Sequence, residues 1–198
     1  MANLKLRLAE QTDAKAVADI YRTYVEKTTL TFETRALSEA AMAEKIKNFG
    51  AVYPFLVCEQ GDAVVGFAYA MRHMEQPAFD YNAVIVMYVD PSVCGRGIGR
   101  ALYDALEGLL RAMGVINLYS KVVTPNPKGQ HLHMAMGYME AGRLRETGFK
   151  AGRWRDLISY EKSLALHDQN PKPIRPVREL GDAKIQECLR HGEELFRR

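Results

Sequence analysis

Gly95, Gly97 and Gly99 stand at alternate positions between an apolar run and a segment that holds no helix breaker. Bare backbone amides at a helix N-terminus bind phosphate or another anion, and glycine lets a ligand approach the backbone closely. Arg96 and Arg100 add positive charge beside them. Two familiar phosphate motifs fail here. A dinucleotide fingerprint would need a third glycine where Arg100 stands, and a Walker loop needs a closing Gly-Lys-Ser/Thr that is absent. One glycine would be enough for a tight turn; three at this spacing point to a backbone-lined anion site. A second group lies downstream: Asn126, Gly129, His133 and the pair Gly137-Tyr138. A lone helical histidine such as His133 is a capping or surface residue as readily as an acid or base. Cys58, Cys94 and Cys188 are far apart and lack metal-ligand spacing, so no metal is expected and they read as free thiols of a reducing compartment.

The elements that must position these residues follow from periodicity. Leu4, Leu6 and Leu8 alternate with Lys5 and Arg7 as in a half-buried strand. Thr12 or Asp13 can cap a helix that carries Val17, Ile20, Tyr21, Tyr24 and Val25, and Ser38 caps a shorter one through Met42, Ile46 and Phe49. Residues 55–59 and 64–72 read as strands joined at Gln60-Gly61-Asp62. Residues 83–89 are apolar on both faces, which marks a central strand. After the glycines comes a helix striped by Ile98, Leu102, Leu106, Leu109 and Met113, with Glu107 and Arg111 spaced to pair along it. A strand near 116–123, a helix near 127–136, and strands near 139–145 and 154–162 complete the series. Trp154 is expected in the core or at an interface. Strands and helices mix without strict alternation, which implies an α/β sandwich around a mixed sheet. Residues 167–181 carry three prolines and read as a tether, and Asp182 opens a last helix with Ile185, Cys188, Leu189 and Phe196 on one face.

The totals narrow the function classes. The chain has 198 residues, 47% hydrophobic and 26% charged, which suits one domain with an appendage. A net charge of +3 gives no argument for nucleic acid. The start alternates charge and leucine without an apolar signal core, and no apolar run approaches the ~20 residues of a membrane span. The expected location is cytoplasmic, without membrane contact.

A strand ending in Val89, the turn Gly95-x-Gly97-x-Gly99 and the following helix resemble the coenzyme A loop of the GNAT acetyltransferases. Asn126, Gly129, His133 and Gly137-Tyr138 resemble that family's second block. The resemblance runs from residue 4 to about 163. It is closest to the phosphinothricin and methionine sulfone N-acetyltransferases, through Thr31-Phe32, Pro54 with the strand after it, residues 66–70 and residues 148–157. It implies a mixed, mostly antiparallel central sheet flanked by helices, a domain over 1–166 with a tether and helix over 167–198, and a homodimer. It also implies acetyl-CoA as co-substrate. Backbone groups of Met87, Tyr88 and Val89 would pair with the pantetheine arm, the Met87 amide facing the thioester oxygen. Amides of Gly95, Arg96, Gly97, Ile98, Gly99 and Arg100 would hold the pyrophosphate, and Asn126 would contact the arm. His133 would stand near the sulfur as proton donor, while Phe32, Arg72 and Tyr81 would line the acceptor pocket, unless they are packing or strand-end residues.

Two positions depart from that family. Cys94 occupies the first place of its Arg/Gln-x-x-Gly-x-Gly signature, which matters little if amides do the holding. Val84 stands where close relatives carry a glutamate, the proposed general base; Glu33, His73 or Asp80 are the alternatives through water. The implied function is transfer of acetyl from acetyl-CoA to the primary amine of a small molecule, an amino acid or an analogue such as phosphinothricin or methionine sulfone. A non-catalytic acyl-CoA sensor and an acetyltransferase of protein amines are the alternatives.

Overall fold

The computed structural model describes residues 4–197. Residues 1–3 and 198, which the sequence reading assigns to the domain and its tail, lie outside the described residues. In chain order the elements are Leu4–Leu8 (β1), Ala14–Lys27 (α1), Glu39–Gly50 (α2), Phe55–Gln60 (β2), Ala63–Arg72 (β3) and Asn82–Val89 (β4). They continue with Ile98–Met113 (α3), Asn117–Val123 (β5), Pro127–Ala135 (α4), Met139–Lys150 (β6), Arg153–Ser163 (β7) and Asp182–Glu193 (α5). Ser38 caps α2 by accepting from the Ala41 amide. At α1 the outcome differs: the Asp13 carboxylate is held by both Arg7 guanidinium nitrogens and the Glu10 amide, and so bonds no amide of the helix it precedes.

Among the described residues the strands form one seven-stranded sheet in the order β1-β2-β3-β4-β5-β7-β6. All neighbours are antiparallel except β4 and β5. Alternation along the central strands builds two cores. Phe55, Val57, Phe67 and Tyr69 face α1 and α2. Cys58, Ala68, Ala70 and Ala83 face α3, where small side chains let the long apolar stripe of Ile98, Leu102, Leu106 and Leu109 lie close to the sheet. Glu107, which the periodicity pairs with Arg111, is instead buried against Lys162 of β7. A buried carboxylate needs a close counter-charge, and Arg111 turns its Nε to the Leu164 carbonyl.

The last two strands run farther than the sequence spacing suggests. β6 continues to Lys150 through a register shift between Leu144 and Gly148, and the hairpin closes at Ala151-Gly152, both at positive φ (53° and 74°). Two such residues make the tight turn that suits twisted strands. Trp154 lies on this hairpin against Phe149, and both are 59% exposed. The tail returns to the body, where Ile185, Cys188 and Leu189 of α5 are buried in the same core as α3. Gly192 permits that crossing, since a Cβ there would stand 2.7 Å from the Ala101 carbonyl oxygen.

Candidate active site

The parallel pair β4–β5 is joined over three steps only: Asn82 with Asn117, Ala83 with Leu118, and Val84 with Tyr119. A side-chain hydrogen bond between Asn117 and Asn82 (3.0 Å) fixes the start of the pair. Beyond Val84 the strands part. β4 stays with β3 to Val89, while β5 follows β7 to Val123. Among the described pairings the β5-facing edge of Ile85–Val89 therefore has no strand partner. A backbone edge left open inside a sheet asks for a ligand that hydrogen-bonds as a strand does, and the carboxyl ends of parallel strands are the usual place for one. Met87 lies midway along this edge. The side chain of Tyr88 turns away into an aromatic cluster with Tyr21, Tyr24 and Phe67, and the Val89 carbonyl accepts from the Tyr24 hydroxyl at 2.6 Å.

The glycine turn stands at the mouth of this wedge. Gly95 and Gly97 adopt φ of 88° and 80°, and Gly97 is the N-cap of α3. The left-handed turn leads directly into α3, whose first amides, at Ile98, Gly99 and Arg100, precede the intrahelical ladder and are free to donate. Gly99 serves a different need: a Cβ there would press on the Met87 thioether (3.3 Å) and on Leu132 of α4 (3.4 Å). Its bareness brings α3, β4 and α4 together at one point. Arg96 and Arg100 are exposed beside the turn, and Arg96 reaches Gln60 at 3.5 Å. Cys94 is exposed and its thiol lies 3.6 Å from the Asp90 carbonyl.

Asn126 caps α4, its Oδ1 accepting from the Gly129 amide at 3.0 Å, which leaves the side-chain NH2 to donate. The small residue three positions on has a steric cause, because a Cβ on Gly129 would lie 2.5 Å from Asn126 Nδ2. His133 is 5% exposed. Its Nδ1 lies 2.7 Å from the Gly129 carbonyl, and its Nε2 lies 2.6 Å from the Tyr103 hydroxyl and 2.8 Å from the Ser120 hydroxyl. A carbonyl only accepts, so the ring proton sits on Nδ1 and Nε2 accepts. Burial holds the His133 pKa below the ordinary 6.5, against the opposing pull of the Gly129 carbonyl. The neutral ring thus has its one proton engaged within the protein.

The expected acceptor residues divide. Arg72, ion-paired with Asp80, and Tyr81, donating to the Pro171 carbonyl at 3.2 Å, share a cavity of about 530 Å³. Asn48, Tyr53 and the tail residues Pro173 and Ile174 line it as well. Phe32 is elsewhere. Its ring packs over Gly148 of the hairpin, where a Cβ would lie 2.2 Å away, and Lys150 donates to the Thr31 carbonyl beside it. Val84 is buried on β4, so that position presents no carboxylate.

The model of the acetyltransferase (GNAT) domain matches residues 6–158. The chain belongs to the GNAT family. A phosphinothricin N-acetyltransferase of Streptomyces viridochromogenes is 30% identical over 177 residues, covering 89% of this GNAT chain and 96% of that protein. An L-methionine sulfoximine/L-methionine sulfone acetyltransferase of Salmonella typhimurium is 28% identical, over 83% and 96% of the two chains. Among solved structures, a GNAT superfamily phosphinothricin acetyltransferase from Sinorhizobium meliloti in complex with AcCoA superposes with a TM-score of 0.81 at 30% identity, covering 89% of this chain and all (100%) of that one.

Two features of this GNAT site escaped sequence reasoning. The Tyr103 and Ser120 hydroxyls that enclose His133 come from α3 and β5, and only the fold joins them. The tail wall of the acceptor cavity, Pro173 and Ile174, read as tether. His73 stacks on Tyr119 with ring centroids 4.2 Å apart, a contact that spans the width of β4. The sequence offers His73 only as one alternative base beside Glu33 and Asp80; the stack on Tyr119 is what the fold adds.

Proposed function

We propose that this GNAT chain transfers the acetyl group of acetyl-CoA to the primary amine of a small molecule, an amino acid or close analogue of the phosphinothricin and methionine sulfone kind. One observation supports the reading: the edge of β4 beyond Val84 has no strand partner among the described pairings, and the chain leads from it through a left-handed glycine turn into the first amides of α3. The Ile85–Val89 edge receives the pantetheine arm as an added strand, and Asn126 donates to it. The amides from Gly95 to Arg100 hold the pyrophosphate, with Arg96 and Arg100 adding charge. The Met87 amide holds the thioester oxygen. Fixing amine and thioester in attack geometry contributes roughly 7–11 kcal/mol, and a positioned oxyanion donor about 3–4 kcal/mol. Arg72 and Tyr81 line the acceptor end. His133, neutral and enclosed, positions α4 and with it Asn126.

The reading includes a homodimer and a cytoplasmic location. Met139, Leu144, Phe149 and Trp154 leave large apolar surfaces exposed on the β6–β7 hairpin, at the edge of the sheet. Apolar edge strands are liabilities unless covered, and a second copy supplies the cover. Cys58, Cys94 and Cys188 are free thiols, which suits a reducing compartment.

A second reading, an acyl-CoA sensor without turnover, is favoured by Val84 alone. Steady-state release of free CoA with a panel of amino acids separates the two. Amine-dependent, saturable release supports the enzyme; a thermal shift with acetyl-CoA and no release under any amine supports the sensor.

A further inference from the structure

We propose that His73 is the general base of this site, standing across β4 at the strand position where Val84 presents no carboxylate. The inference rests on the acetyltransferase reading above. Its first support is register. Arg72 pairs with Ala83, so His73 follows at the level of Asn82, on the strand face that Met71 and Val84 share. Tyr119 pairs with Val84 from the opposite side of β4. The His73 ring lies nearly parallel to that of Tyr119, at 14°, and meets Phe79 edge-on, with centroids 6.1 Å apart. To touch Tyr119 from β3 the ring must cross β4 beside Val84.

The second support is the ring's unmet bonding. Nδ1 of His73 is buried and has no hydrogen-bond partner among the described residues. Buried polar atoms without partners are rare and ask for a reason. Catalytic hydrogen bonds often form only in the complex, and an acceptor amine or the water it orders would supply this one. The third support is charge state. Burial, with the neighbouring Lys121 ammonium, holds the pKa of His73 below 6.5. The titratable groups around it are Lys121 and Tyr119 on β5 and the Arg72–Asp80 pair at its own end of the sheet. At neutral pH the ring is therefore largely unprotonated and able to act as a base.

The distance suits a relay. The backbone of His73 stands at Asn82, five residues from Met87, but its ring reaches Tyr119 at the level of Val84, three residues or about 10 Å from Met87 along the strand. A thioester carbonyl at the Met87 amide, an attacking amine and one or two waters fill that span. The acceptor ammonium gives one proton through water to the His73 ring, which is only partly buried and passes it to solvent. The freed lone pair forms the N–C bond, the C–S bond breaks, and the departing thiolate takes the second proton from the nitrogen. The products are the N-acetyl amide, CoA thiol and one proton.

Phenylalanine at position 73 keeps the stack on Tyr119 and removes the base. His73→Phe should lower kcat/KM for the amine by about 10²–10⁴-fold near neutral pH, with the loss shrinking as pH rises and the amine deprotonates by itself. Its thermal shift with acetyl-CoA should match wild type. His73→Phe combined with Val84→Glu should regain at least tenfold, which a merely structural role for His73 would not produce. A folded His73→Phe variant with turnover within twofold of wild type and an unchanged pH profile would overturn the proposal while leaving the acetyltransferase reading intact. Wild-type protein that binds acetyl-CoA but releases no CoA with any amine would overturn both.

Discussion

On the proposed function, the donor and acceptor ends of the site are built from different materials. The donor end is backbone: the open edge of β4, the left-handed Gly95 and Gly97, and the first amides of α3. The proposed acceptor end is side chains from distant segments: Asn48 of α2 and Tyr53 after it, Arg72 at the end of β3, Asp80 and Tyr81 before β4, and Pro173 with Ile174 of the tail. A backbone site binds what every member of a family shares, because amides do not vary with sequence. A side-chain site can be refitted one residue at a time. Donor recognition should therefore break at glycines, and acceptor choice should shift with single polar substitutions.

The largest effect is expected at Gly97. Its φ of 80° strains any L side chain, and a Cβ would meet the Leu195 carbonyl oxygen at 3.2 Å. Gly97→Val should abolish the thermal shift given by acetyl-CoA, while far-ultraviolet circular dichroism reports an intact fold. A variant that is folded and still shifted would mean that the amides do not hold the donor.

A smaller and more selective effect is expected at the other end. Arg72→Ala frees the Asp80 carboxylate within the cavity that Tyr81 also lines. It should raise KM for an α-amino acid about tenfold, the loss of one charged contact, with KM for acetyl-CoA unchanged. A rise in KM for acetyl-CoA instead would break the division between the two ends.

The smallest effect links the tail to the donor loop. Gly192→Val would drive α5 off the Ala101 carbonyl, and with it the Leu195 carbonyl that abuts Gly97. Overpacking of this kind costs about 1–3 kcal/mol, so the melting temperature should fall by several degrees with a modest loss of acetyl-CoA affinity. An unchanged melting temperature would show that α5 adds nothing to stability.

The same contrast explains what the sequence made legible. The glycine turn could be read because only a few backbone conformations require bare residues at such spacing, and the structure places Gly95 and Gly97 in one of them. Asn126 and Gly129 could be read as a pair, although the local reason is a helix cap that leaves no room for a Cβ. The order of strands and helices followed from periodicity. The misses share a cause in contacts between distant parts of the chain. Glu107 looked like a surface partner of Arg111 because Lys162, on β7, is invisible to helical spacing. The register shift after Leu144 hid the length of β6. His133 looked available for proton transfer because nothing near it in sequence announces Tyr103 and Ser120. The tail residues Pro173 and Ile174 meet Arg72 and Tyr81 only when the chain is folded.

On the proposed function, a backbone-built donor site delivers acetyl to an amine held at the side-chain-built end. The most direct test is CoA release by the full-length protein, followed continuously with acetyl-CoA and amino-acid acceptors that include methionine sulfone and phosphinothricin. The expected result is saturable, amine-dependent release by wild type, and none by Gly97→Val. Tight acetyl-CoA binding by wild type with no release above the amine-free background, for any acceptor across neutral to alkaline pH, would contradict it.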